Sequence, residues 1–144
     1  MTTPDMTASD PFGEPQTKWQ VRPRSSAPAD GTPPAREVLE EELTRIERRI
    51  DDVIAQGREA FTEGSDSYDR ATVAILRLAA LFEHPKSFGA ALTVVTSEER
   101  RGIITTRNIA AHSGYGSMNT TVFWSTMTER LPEIIVRIRA ANQR

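Results

Sequence analysis

The chain has 144 residues, a formal net charge of −2 and 38% hydrophobic residues. With no cysteine it can form no disulfide, no thiolate zinc site and no cysteine nucleophile, and two histidines in all argue against a histidine-rich metal site within one chain. Proteins that coat nucleic acid are usually basic, so any RNA or DNA contact made by this acidic chain must be local.

Seven of the nine prolines (Pro4, Pro11, Pro15, Pro23, Pro28, Pro33 and Pro34) fall in the first 34 residues, among Ser, Thr, Asp and Gly. Such a stretch cannot bury enough apolar surface to offset its ordering entropy, which predicts a disordered tail over 1–34 and a folded domain over 35–144. Within the tail only Lys18-Trp19-Gln20-Val21-Arg22 has adhesive character, either as an incidental apolar patch or as a short partner-binding segment. Met1–Asp10 lacks the basic and apolar regions of a secretory signal. The longest uncharged run, Asn108–Thr128, is too rich in His, Ser, Asn and Thr to sit in lipid. The expectation is a cytoplasmic protein with no membrane contact.

From Ala35 to about Thr62, Leu39, Leu43, Ile46, Ile50 and Val53 recur at spacings of three and four, the mark of a helix with one apolar seam. Gly64-Ser65-Asp66-Ser67 breaks it and caps a second helix, from about Tyr68 to Phe82. That helix carries Ala71, Ile75, Leu78, Leu81 and Phe82, and Val73, Leu76 and Ala80 widen its stripe enough to predict burial on two sides. Pro85 ends it, and His84 just before can cap its last carbonyls. Ser87–Val95 reads as a brief helix or a buried connection. Thr96 and Glu99 have the spacing of a capping box and start a third long helix running to about His112. Ser113–Ser117 stops it, and Asn119 or Thr120 caps a last helix over about Thr121–Ala141. Pro132 lies inside that last pattern and predicts a kink or short break near Thr128–Leu131. No stretch alternates with period two. The fold expected is all-α, an antiparallel bundle of four to five helices.

Among the candidate chemical groups, His112 stands out by its company. It closes the run Arg107-Asn108-Ile109-Ala110-Ala111-His112. A guanidinium can grip a phosphate bidentately and stabilise transition-state charge, while an imidazole can take a proton from a 2′-hydroxyl or give one to the leaving oxygen. Asn108 and His112, at i and i+4, share a helix face. Arg107 and His112 lie about 140° apart on a regular helix and converge only if the helix end distorts or the arginine swings round. On spacing alone a structural histidine at a helix C-terminus is the competing explanation. Other candidates fall away. Phe123 and Trp124 at helical spacing with Met127 read as core rather than as base-stacking groups. Gly114-Tyr115-Gly116 lacks the strand and lysine of a phosphate loop. Asp51-Asp52 has no supporting metal-ligand cluster.

The string Arg107-Asn108-Ile109-Ala110-Ala111-His112-Ser113-Gly114-Tyr115 resembles the R-N-x-x-x-H-x-Y signature of HepT toxins, of the HEPN superfamily. The likeness continues through Val122-Phe123-Trp124, Leu131-Pro132 and Glu133-Ile134-Ile135. Upstream, Asp69–Leu76 is similar to that family's central helix. The likeness covers roughly 36–141. Two departures stand in the motif region: one extra residue separates His112 from Tyr115, and Asn119 replaces an acidic residue.

The resemblance implies an all-α homodimer that cleaves RNA without metal or other cofactor. Arg107 would hold the phosphate, His112 would be the acid–base group and Asn108 a polar support, with both chains' motifs in one cleft. It also implies neutralisation by a nucleotidyltransferase-type antitoxin that attaches AMP to the motif tyrosine, here Tyr115. A dimer also suits the residues themselves. One chain offers one good histidine, acid–base cleavage wants two proton carriers, and two-fold symmetry would bring a second His112 into the cleft. Local charge is modestly favourable, at +1 over residues 98–107 and +2 over 129–144. The alternatives are a non-catalytic HEPN-type module that binds RNA or a protein partner, and a plain helical dimerisation protein.

Overall fold

Leu39, Leu43, Ile46, Ile50 and Val53 all lie buried along one side of α1, Ala35–Gln56, so the seam written in the sequence is the seam that packs. The computed structural model describes residues 33–112 and 118–144. Apart from Pro33 and Pro34, the tail expected over 1–34 lies outside the described residues, and so does Tyr115.

α1 stops six residues short of the expected Thr62. Gly57 takes φ +87° and ψ 163°, a backbone conformation open essentially to glycine alone, and a short 3-10 turn, Arg58–Ala60, follows. That turn delivers Phe61 into the interior, where it is fully buried. Its ring lies 5.4 Å from Tyr68, 5.4 Å from Phe123 and 5.3 Å from Trp124. The expected core role of Phe123 and Trp124 follows from these contacts, with Trp124 edge-on against Phe61 and Met127 fully buried close by in sequence.

Ser65 caps α2, Asp66–Leu81, by accepting from the Tyr68 backbone N–H at 3.1 Å. α2 runs antiparallel to α1, as the ion pairs Arg77–Glu42 at 2.7 Å and Arg70–Asp52 at 3.3 Å require. Ala71, Ala74, Ile75, Leu78, Ala79 and Leu81 are buried. Val73 and Leu76 are not: they stay 37% and 36% exposed, so α2 is buried on two sides, as expected, but without these two residues. The flanks of α2 pack on α1 and on the helix that carries the motif, and its third side faces outward.

Pro85 both ends α2's neighbourhood and opens α3, Pro85–Leu92, as its first residue, where a missing N–H costs nothing. This settles the Ser87–Val95 stretch as a helix that begins two residues earlier. His84 is the residue before α3 rather than a side-chain cap on α2. Its backbone N–H donates to Leu81 O at 3.2 Å, and its ring lies edge-on to Phe88 at 6.4 Å.

α4, Ser97–Ala111, opens on the full capping box: Thr96 Oγ1 accepts from Glu99 N at 3.0 Å and Glu99 Oε1 accepts from Thr96 N at 3.0 Å. Glu99 also accepts from Arg137, whose Nη1 donates to Val94 O at 3.0 Å. The Arg137 hydrogen bond, reinforced by the Thr96 N–H, holds the Glu99 carboxyl below its ordinary pKa. The N-terminal half of α4 is thus tied to the C-terminal helix.

Asn119 caps α5, Thr120–Ser125, by accepting from Val122 N at 3.0 Å. A π turn, Thr126–Arg130, then leads into α6, Leu131–Asn142. The irregularity falls where Pro132 demands one. Placed at the start of α6, the proline removes an N–H that the wider turn does not need. α6 returns antiparallel along α1: Arg139 bridges Glu40 and Glu47, and the buried Asn142 donates to Arg36 O at 2.9 Å. Among the described residues there is no strand, and no helix is long and apolar enough to cross a membrane. The fold is all-α.

Candidate functional site

α4 carries Arg107 and Asn108 on its last turn and a half, with His112 just past its end, well away from the anchored capping box. The helix buries only Ile103 fully, with Ile104, Ile109 and Ala110 half-buried, so its motif end is held by few apolar contacts. Ala111 is the last helical residue. His112 follows with φ −123° and ψ 93°, an extended conformation that leaves the helical path.

Regular helix geometry sets Arg107 and His112 on different faces, and two local features depart from that regularity. The departure of His112 from helical geometry is the first. The second is the arginine's own swing: Arg107 Nε donates to Asn108 Oδ1 at 3.0 Å. Asn108 is the next residue along α4, so this bond holds the guanidinium against its own helix. Both Asn108 and His112 are exposed, and the Arg107 side chain is 26% exposed.

A fourth residue joins them. Glu83, two residues beyond the end of α2, accepts from Arg107 Nη1 at 3.3 Å. Nothing in the sequence pattern singles it out, since it lies 24 residues away and meets the motif only through the packing of α2 on α4. Beside it, Arg100 stands over the Phe82 ring at 5.1 Å, a cation–π contact that fastens the same two helices. Among the described residues, Arg100, Arg107 and the Glu83 carboxylate thus lie along the contact between α4 and the end of α2.

A guanidinium can hold an anion and an imidazole can move a proton. A groove of about 300 Å³ between α4 and the π turn includes Thr106 and Arg130 but not Arg107, Asn108 or His112. Among the described residues no three carboxylates or imidazoles gather as metal ligands. Tyr115, the expected modification site, lies outside the described residues. Comparison of the chain with family models, with curated proteins and with solved structures gives no match.

Proposed function

We propose that the chain is a HepT-like endoribonuclease that cleaves RNA without metal, acting as the toxin of a toxin–antitoxin pair. The observation that supports this reading is the aiming of the Arg107 guanidinium by its hydrogen bond to Asn108, on the last turns of the helix that His112 follows. In the proposed reaction His112 takes the proton of a 2′-hydroxyl, whose oxygen bonds to the adjacent phosphorus. Arg107 stabilises the added negative charge of the phosphorane. The P–O5′ bond breaks as the partner's His112 protonates the leaving oxygen. The products are a 2′,3′-cyclic phosphate and a 5′-hydroxyl.

A homodimer would supply the second histidine. The exposed Val73 and Leu76 support this, since with Ala80 and Glu83 they follow the outward side of α2 to its end beside Arg107. By the same resemblance Tyr115 is the residue that a nucleotidyltransferase antitoxin modifies. Intact mass after co-expression with such a partner should then rise by whole AMP units. A gain that persists in Tyr115→Phe removes that role.

The nuclease reading is tested by incubating the purified, unmodified full chain with single-stranded RNA in EDTA. Cleavage is expected. A folded, AMP-free dimer that leaves RNA intact favours the non-catalytic RNA- or partner-binding module.

A further inference from the structure

Two of the five N–H donors of Arg107 meet described side chains, and the two acceptors differ in kind. Asn108 is neutral, sits on the same helix and takes Nε at 3.0 Å, which is enough to aim the guanidinium. Glu83 is charged, comes from the end of α2 and takes Nη1 through one oxygen at 3.3 Å.

We propose that Glu83 is a built-in competitor for the anion at Arg107: its carboxylate occupies the guanidinium in the ligand-free chain and is displaced by a phosphate group, so it sets how tightly that site binds. The inference rests on reading Arg107 as a phosphate-binding group. Three features argue for competition rather than for a structural bridge. The contact is single rather than forked, and the Glu83 side chain is 62% exposed, the kind of pair that contributes little to stability. The α2–α4 contact already has Arg100 on Phe82, and α4 is tied independently through Glu99 to Arg137. A phosphate offers two oxygens to the arginine fork and forms the stronger pair, so Glu83 yields to it. Until it yields, its charge opposes every anion that approaches the same guanidinium.

The test follows the Arg107 Nε–H resonance by NMR during titration with inorganic phosphate at constant ionic strength. Wild type and Glu83→Gln are compared, and the resonance is assigned by its loss in Arg107→Ala. Glu83→Gln should reach half-saturation at about 3- to 10-fold lower phosphate, with Glu83→Ala moving the same way. An equal or higher midpoint overturns the proposal, and so does a resonance that phosphate moves in neither protein. RNA cleavage scored on the same proteins separates the two readings. Cleavage with equal phosphate midpoints removes the role of Glu83 alone. A lowered midpoint without RNA cleavage by either protein leaves Glu83 in its role and removes the nuclease.

Discussion

His112→Ala should lower the rate of RNA cleavage by about 10²- to 10⁴-fold, the usual contribution of a positioned general acid or base, while leaving the fold intact. The second half of that expectation comes from position. His112 is exposed and sits just past the last helical residue of α4, outside the packed interior. Surface changes away from buried features usually alter stability by no more than about 0.5 kcal/mol. If both histidines of a dimer act, one substitution removes both proton carriers, which places the loss toward the upper end. Rates and thermal unfolding measured on the same preparations check both halves. A variant that unfolds makes His112 a structural cap, and a folded variant that cleaves at the wild-type rate removes it from the chemistry.

The largest effect on stability is expected at Phe61. Truncation to alanine should destabilise the chain by about 3–5 kcal/mol, the range for a large buried aromatic, against a total of about 5–15 kcal/mol for a typical domain. Phe61 is fully buried and touches Tyr68, Phe123 and Trp124, so the substitution empties a space shared by α2, α5 and the turn after α1. Arg58 in the same turn donates to Thr121 Oγ1 at 3.2 Å, and loosening the turn therefore reaches the start of α5 as well. Chemical denaturation of Phe61→Ala beside wild type measures the loss. A change below about 1 kcal/mol would mean that the cluster relaxes around the gap and is not a keystone of the core.

What the sequence made legible is local. The α1 seam, the Thr96–Glu99 box, the Asn119 cap and the irregularity imposed by Pro132 each depend on residues within one or two turns of one another, and each appears where its pattern puts it. What escaped depends on partners distant in sequence. A single glycine in a helical pattern does not announce that it takes a positive φ, so α1 was expected to outlast Gly57. Phe61 stands alone between two helices, without periodicity to mark it as core. Val73 and Leu76 fit a buried stripe by spacing, but burial depends on whether a neighbour covers that side. At the motif, the arginine–histidine spacing was legible. Glu83 was not, because its contact with Arg107 exists only once α2 has packed on α4.

The proposed proton chemistry at Arg107 and His112 would leave its mark on the RNA fragments it produces. Its most direct test is the end chemistry of the fragments formed when the purified full chain meets a defined single-stranded RNA in EDTA. Cleavage is expected to leave 2′,3′-cyclic phosphate and 5′-hydroxyl ends, absent from reactions with His112→Ala. Fragments carrying 5′-phosphate and 3′-hydroxyl ends, or cyclic-phosphate fragments formed equally by His112→Ala, would contradict it.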